Sequence, residues 1–348
     1  MPYYPAEPGG KPRNGDARGR KLLKETALGL SLLLIGYGGL RLGIYVHDYF
    51  SARQTARELR EAAEAAVGTE ETASEEKGRI LGEKEIQPAG ETASDTEKTG
   101  FGREEAFLSE REAASPEPAE EPAPSAEAAE SSSAEDGRLP PVEYPRGLEP
   151  VPKIRELRKK SEYIFGWIAM EGMEEPVVRK DNDFFLNHDA MGKRNSNGAI
   201  FMDEKTSLLT RPYTIFLYGH NMKTGAMFGG LRKYEDFSYF LRHRIFQFDT
   251  LFEEGQYAIF AVEKIQITPG LSKYLDLYAL RSDDRGTRRR AIETLKRLSL
   301  HEAMLDVNEE DQLVLLITCV GDEEERLVVA ARRLREGERP DRLYSVPK

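Results

Sequence analysis

The sequence predicts a mainly β domain over residues 138–348, a barrel or sandwich with a few flanking helices, carried behind one transmembrane helix and an acidic linker. Three observations point there: a run of short β-branched and aromatic segments after residue 160, a 21-residue apolar stretch near the N-terminus, and a polar, Glu/Ala/Ser/Pro-rich tract between them. The chain has 348 residues, a formal charge of -11 and 39% hydrophobic residues. That charge is unevenly placed. Residues 1–67 hold 10 Lys/Arg against 7 Asp/Glu, residues 68–137 hold 6 against 20, and residues 138–348 hold 34 of each. The C-terminal part therefore has no net basic field, which argues against nucleic acid as a partner.

Thr26–Val46, "TALGLSLLLIGYGGLRLGIYV", is apolar apart from Arg41 and a few small polar groups. As a helix it spans about 31 Å, enough to cross a bilayer. Lys11, Arg13, Arg18, Arg20, Lys21 and Lys24 precede it, so the positive-inside bias puts residues 1–25 in the cytoplasm and the bulk of the chain outside. A cleaved signal peptide is the rival reading, but no small-x-small cleavage site follows. Residues 47–67 are rich in Ala, Glu and Arg and read as a juxtamembrane helix. Residues 68–137 have too little apolar surface to offset the entropy of ordering and read as a disordered acidic tether.

Beyond it, a helix at about 153–162 leads into eight strand candidates: "YIFGWIAM", "PVVR", "GAIFMD", "YTIFLYG", "RIFQFDTLF", "QYAIFAVEKIQIT", "QLVLLITC" and "RLVVAARRL". Two helical stretches interrupt them, "MFGGLRKYEDFSYFLRH" and "TRRRAIETLKRLSLHEAM". Many short strands with few helices exclude a doubly wound α/β sheet.

The chain has one cysteine, Cys319, at the end of the nearly continuous apolar run "QLVLLITC". Such a run fits an interior strand covered on both faces. Six residues, "VGDEEE", separate it from "RLVVAARRL", so the two strands should pair antiparallel and bring Cys319 beside Arg326. A cation next to a thiol favours the thiolate, and a guanidinium can donate to an oxyanion. By composition alone a lone thiol reads as an inert core residue, and Arg326 as a surface arginine near a turn. Among the five histidines, His220 stands out because it ends "YTIFLYGH" and precedes the turn "NMKTG", a strand terminus where a scaffold positions catalytic groups well. The acidic run at 322–325 is too short to argue for a metal site, and no cofactor motif is present.

Taken in order, "GAIFMDE", "LYGHNMKTGAMFGGLRKY" and "ITC…RLVVAAR" resemble the catalytic domain of class B sortases, membrane-anchored cysteine transpeptidases of Gram-positive bacteria. The resemblance covers about residues 150–348 and implies a closed eight-stranded β-barrel. It implies Cys319 as nucleophile, His220 as acid/base and Arg326 as stabiliser of the oxyanion and the bound signal. By the same likeness, "NDFFLNHD" supplies Asn182 and Leu186, and "KYLDL" supplies Tyr274 and Leu275, as walls of a sorting-signal groove; ordinary core packing is the competing reading for the two leucines. The implied partners are surface proteins with a C-terminal sorting motif and an amine acceptor, either a lipid-linked peptidoglycan precursor or a pilin lysine. One departure stands out: many class B members have Ser two residues before the cysteine, where this chain has Ile317. A papain-like peptidase is the competing enzyme reading, but it expects the Cys before the His and at a helix N-terminus. A non-catalytic binding barrel is the remaining alternative.

Overall fold

The computed structural model describes residues 15–83, 137–144, 147–207, 209–319 and 324–344; side chains of the first helix are described from 26 to 68, and Cys319 is described through its backbone. The expected cytoplasmic residues 1–14 and linker residues 84–136 lie outside the described residues.

Eight strands close a barrel: β1 (Ile164–Met170), β2 (Met173–Val178), β3 (Ile200–Met202), β4 (Thr214–Tyr218), β5 (Ile245–Thr250), β6 (Gln256–Gln266), β7 (Leu313–Cys319) and β8 (Glu325–Arg333). Around the wall they run β8-β6-β5-β1-β2-β3-β4-β7, with β7 returning to β8. These are the eight expected segments. Two pairings are parallel, β2 with β3 and β4 with β7, and the others are antiparallel. Closure leaves no free edge in the wall.

Alternation along the strands divides the core. Ile168, Val177, Ile215, Leu217, Phe248, Val314, Leu316 and Val329 belong to one buried cluster, while Phe216, Phe260, Leu313, Leu315, Ile317 and Val328 belong to a second, beneath helix α4 (Arg285–Leu298). β7 therefore contributes to two cores, which explains its unbroken apolar run. Helix α4 starts at Asp284, whose side chain accepts from Thr287 N at 2.6 Å, and buries Ala291, Ile292 and Leu295. It stops at Leu298, so the expected helical stretch is shorter than the sequence suggested; Ser299 Oγ instead donates to the His301 carbonyl. The other expected helix is two elements. Phe228–Glu235 winds as a 3-10 helix through Gly229 and Gly230, and α3 (Phe237–Arg242) restarts at an Asp236 cap that accepts from Tyr239 N at 2.7 Å.

Helix α1 (Gly15–Glu83) is continuous through the apolar stretch and beyond residue 67. Among the described residues nothing covers its apolar portion: Leu33 and Ile35 are 73% and 70% exposed. From Asp48 the pattern changes to a stripe facing the barrel, in which Leu59, Ala63 and Ala66 are buried. Leu59 and Ala63 pack with Ile154 and Leu157 of α2 (Pro152–Lys160) and with Trp167 and Val178 in a third cluster. Burying a leucine such as Leu59 contributes about 2 kcal/mol. At the start of the contact, Asp48 accepts from Ser196 N at 3.0 Å and Ser196 Oγ at 2.6 Å, and Asn195 Nδ2 donates to the Asp48 carbonyl at 3.0 Å.

Candidate active site

Parallel pairing of β4 with β7 aligns Tyr218 with Ile317, and both chains continue two residues further, to His220 and Cys319. Antiparallel pairing of β7 with β8 sets Cys319 directly opposite Arg326. Adjacent strands lie about 4.8 Å apart. The backbones of His220, Cys319 and Arg326 thus meet at one end of the barrel, on three neighbouring strands. The hairpin that joins Cys319 to Arg326 is the one the sequence spacing predicts; residues 320–323 of it, including two of the four residues in the acidic run, lie outside the described residues.

The loop after His220 folds back on it. The His220 carbonyl accepts from Met222 N at 3.1 Å and Phe228 N at 3.0 Å, and Asn221 bridges to Met227. On the imidazole, Nε2 lies 2.7 Å from the Leu186 carbonyl oxygen. A carbonyl only accepts, so Nε2 carries the proton and Nδ1 is the nitrogen left for exchange. Thr318 Oγ1 donates to the Gly219 carbonyl at 2.7 Å, tying the end of β7 to the end of β4 just before the two candidate residues.

A groove of about 510 Å³ opens at this end of the barrel. Asn182, Leu186, Tyr274 and Leu275, the expected wall residues, all line it, together with His220 and Arg326. Ile317 and Thr318 line it as well. Leu186 comes from a 3-10 turn, Phe184–Leu186, whose start is held by Asp181 Oδ1 accepting from Phe184 N at 2.7 Å. The sequence marked Leu186 for its side chain; the carbonyl that holds His220 carries no residue-type signal. Leu275 also packs against the α4 cluster, so its packing role coexists with its place in the wall. Ile317 is 3% exposed and belongs to that same cluster, which makes the groove floor apolar at this point.

Phe216, Tyr218 and Tyr278 are among the further lining residues that the sequence did not single out. Alternation on β4 was the available signal, since Phe216 and Tyr218 share a face with Thr214. Other histidines have structural contacts. His188 stacks on Phe184 at 4.0 Å between ring centroids, and His301 Nε2 lies 2.8 Å from the Tyr234 carbonyl. Among the described residues, no group of three His, Cys, Asp or Glu side chains could hold a metal ion.

The geometry agrees with sequence kinship. Residues 169–334 match the family model for the Sortase domain. Sortase B of Listeria monocytogenes is 27% identical over 172 residues, a match covering 48% of this chain and 67% of that protein. For Sortase B of Staphylococcus aureus the figures are 28% over 190 residues, covering 53% and 75%. Among solved structures, sortase B from Bacillus anthracis is 31% identical, with 57% of this chain and 89% of that one aligned at a TM-score of 0.48. A Staphylococcus aureus sortase B-substrate complex is 27% identical, with 54% and 88% aligned at a TM-score of 0.48. The closed barrel and the sequence kinship agree, and the chain belongs to class B of the sortase family.

Proposed function

We propose that this chain is a membrane-anchored transpeptidase that cleaves a C-terminal sorting signal on surface proteins and transfers the shortened protein to an amine of a lipid-linked peptidoglycan precursor. The observation that carries the reading is the strand register bringing His220, Cys319 and Arg326 to the mouth of one groove. Anchoring rests on Thr26–Val46, whose apolar side chains are left uncovered by the described residues and match an apolar solvent. Residues 1–25 are cytoplasmic in this reading, 68–137 carry the acidic linker, and 138–348 act outside the membrane.

In the first half-reaction the Cys319 thiolate attacks the carbonyl carbon of a threonine in the signal. A C–S bond forms as the carbonyl π pair moves to oxygen, where Arg326 donates hydrogen bonds to the resulting oxyanion. Collapse breaks the C–N bond, and protonated His220 delivers its Nδ1 proton to the leaving amine. The Leu186 carbonyl keeps the Nε2 proton in place throughout. In the second half-reaction an acceptor amine attacks the thioester, His220 Nδ1 takes up its proton, and the thiolate leaves. A groove floored by Ile317, Phe216 and Leu275 suits an extended peptide whose apolar side face lies against it.

The test mixes the full chain in detergent micelles with a randomised library of threonine-containing peptides and an amine, read by mass spectrometry. A peptide thioester on Cys319 that is absent in Cys319→Ala, and that passes to the amine, is the expected result. Release of free acid alone, with no amine product, would replace the transpeptidase reading with that of a peptidase. Comparing a peptidoglycan-bridge amine with a lysine-bearing pilin peptide as acceptor separates wall anchoring from pilus polymerisation.

A further inference from the structure

Beneath the groove wall lies a carboxylate that no step above uses. Asp203 follows β3, is fully buried, and accepts from Arg281 NH1 at 2.6 Å on Oδ1. Its Oδ2 receives two groove-lining side chains at once, Asn182 Nδ2 at 3.2 Å and Tyr218 Oη at 3.2 Å. Burial pushes its carboxyl up, but the hydrogen bond and charge of Arg281, with Lys205 N and Tyr218, outweigh burial and hold it below the usual carboxylate range. The arginine is itself fixed. Arg281 NH2 donates to Thr206 Oγ1 at 3.2 Å, and the guanidinium lies over the Phe216 ring at 4.1 Å.

The consequence is one of orientation. Asn182 Oδ1 accepts from Glu204 N at 2.9 Å while its Nδ2 donates to Asp203, so its amide cannot flip without setting oxygen against carboxylate. Tyr218 spends its only proton on the same oxygen. Tyr278 bonds the Tyr218 oxygen as well, so what remains for an occupant of the groove is one N–H of Asn182 and the second lone pair of Tyr218, a donor and an acceptor side by side. We propose that Asp203 is a positioning residue for the substrate: through its pair with Arg281 it fixes Asn182 and Tyr218 so that the groove wall pairs with an amide group of the bound peptide. This rests on the transpeptidase reading above.

The test uses the full chain in micelles and one peptide selected from the randomised library for acylating wild-type Cys319. Asp203→Asn should raise KM about tenfold or more, the scale of losing oriented hydrogen bonds, while kcat and the rate of iodoacetamide alkylation at Cys319 stay near wild type. Tyr218→Phe should raise KM in the wild-type background and add little in Asp203→Asn, because the two act as one unit. A merely structural Asp203 would lower thermal stability without that non-additivity. Equal KM in Asp203→Asn, or an undiminished Tyr218→Phe effect in that background, overturns the proposal and leaves the transpeptidase reading standing. If Asp203→Asn does not fold, a cycle between Asn182→Ser and Tyr218→Phe replaces it: coupling supports the shared carboxylate and additivity refutes it. A wild type that no peptide acylates overturns both readings together.

Discussion

Replacing Gly198 by alanine asks whether the imidazole is held from behind. Gly198 has φ +62°, and a Cβ added there would overlap the Phe185 carbonyl oxygen and lie 3.1 Å from both the Leu186 carbonyl oxygen and His220 Cδ2. Left-handed backbone costs an alanine about 1–2 kcal/mol on its own. Relief of the overlap must then move the 184–186 turn or the imidazole, and both are ends of the 2.7 Å bond that orients His220. Misplacing a catalytic group by about 1 Å costs on the order of 10²-fold in rate, so a shift of roughly half that predicts a loss of about tenfold. Gly172→Ala is the matched control: it also has positive φ, at +75°, but nothing lies within 4 Å of its added Cβ. The assay is the rate of peptide thioester formation on Cys319, with thermal melting of each variant alongside. Both should melt a few degrees lower, about 2–4 °C per kcal/mol for a domain of this size. Only Gly198→Ala should slow acylation. If the two variants lose equal stability and both keep the wild-type rate, the turn behind His220 does not govern its geometry, and the role given to the Leu186 carbonyl is wrong.

Two further outcomes test the scaffold. Glu263 on β6 is 1% exposed, neither carboxyl oxygen has a hydrogen-bond partner among the described residues, and burial pushes its carboxyl up to about 8. Between its ordinary value of 4.5 and about 8 the folded chain keeps a proton that the unfolded chain releases. Its stabilising contribution is therefore complete below the lower value and is lost as pH rises through the upper one, at about 1.4 kcal/mol per pH unit. Glu263→Gln should melt like wild type near pH 4 and increasingly above it from pH 5 to 8; a gap that does not change with pH would refute the assignment. Arg288, also fully buried, donates to the carbonyls of Glu309, Leu280, Tyr213 and Asp311 and to Thr214 Oγ1. Lysine keeps the charge without the fork, so Arg288→Lys should lose about 3 kcal/mol in urea unfolding by stranding buried acceptors. Because those contacts sit at the far end of β4 from His220, acylation per folded molecule should not change.

Local patterns carried the wall of the barrel: each strand shows β-branched and aromatic enrichment between turn residues, and β7 announces its two-sided burial by an unbroken apolar run. The juxtaposition of Cys319 and Arg326 was equally legible, because a short loop between two strands dictates pairing. What escaped depended on contacts between distant segments. Nothing local says that Leu186 offers its carbonyl to His220, or that Asp203 and Arg281 meet, since 78 residues separate them and either alone reads as a surface charge. The docking of α1 left a fainter trace. Leu59, Ala63 and Ala66 recur at helical spacing, but alanines among Arg and Glu resemble a solvated helix, so the buried stripe is easy to overlook.

Under the anchoring proposed above, that docked helix would hold the working end of the barrel at a fixed altitude. Ser196 grips Asp48, two residues beyond Val46, and Gly198, two residues further along the loop, backs the His220 ring. At no more than about 3.6 Å of chain per residue, the imidazole stands only a short step from the point where α1 leaves its apolar stretch. The acidic segment does not set this height, because it departs from a helix already bound to the barrel and returns at Leu139, whose N–H bonds the Asp283 carbonyl of the same body. Lengthening or shortening it alters an excursion, not a leash. For an enzyme anchored as proposed, acceptor and signal held in the same membrane sheet would then arrive by lateral diffusion at a cleft already waiting at their own level.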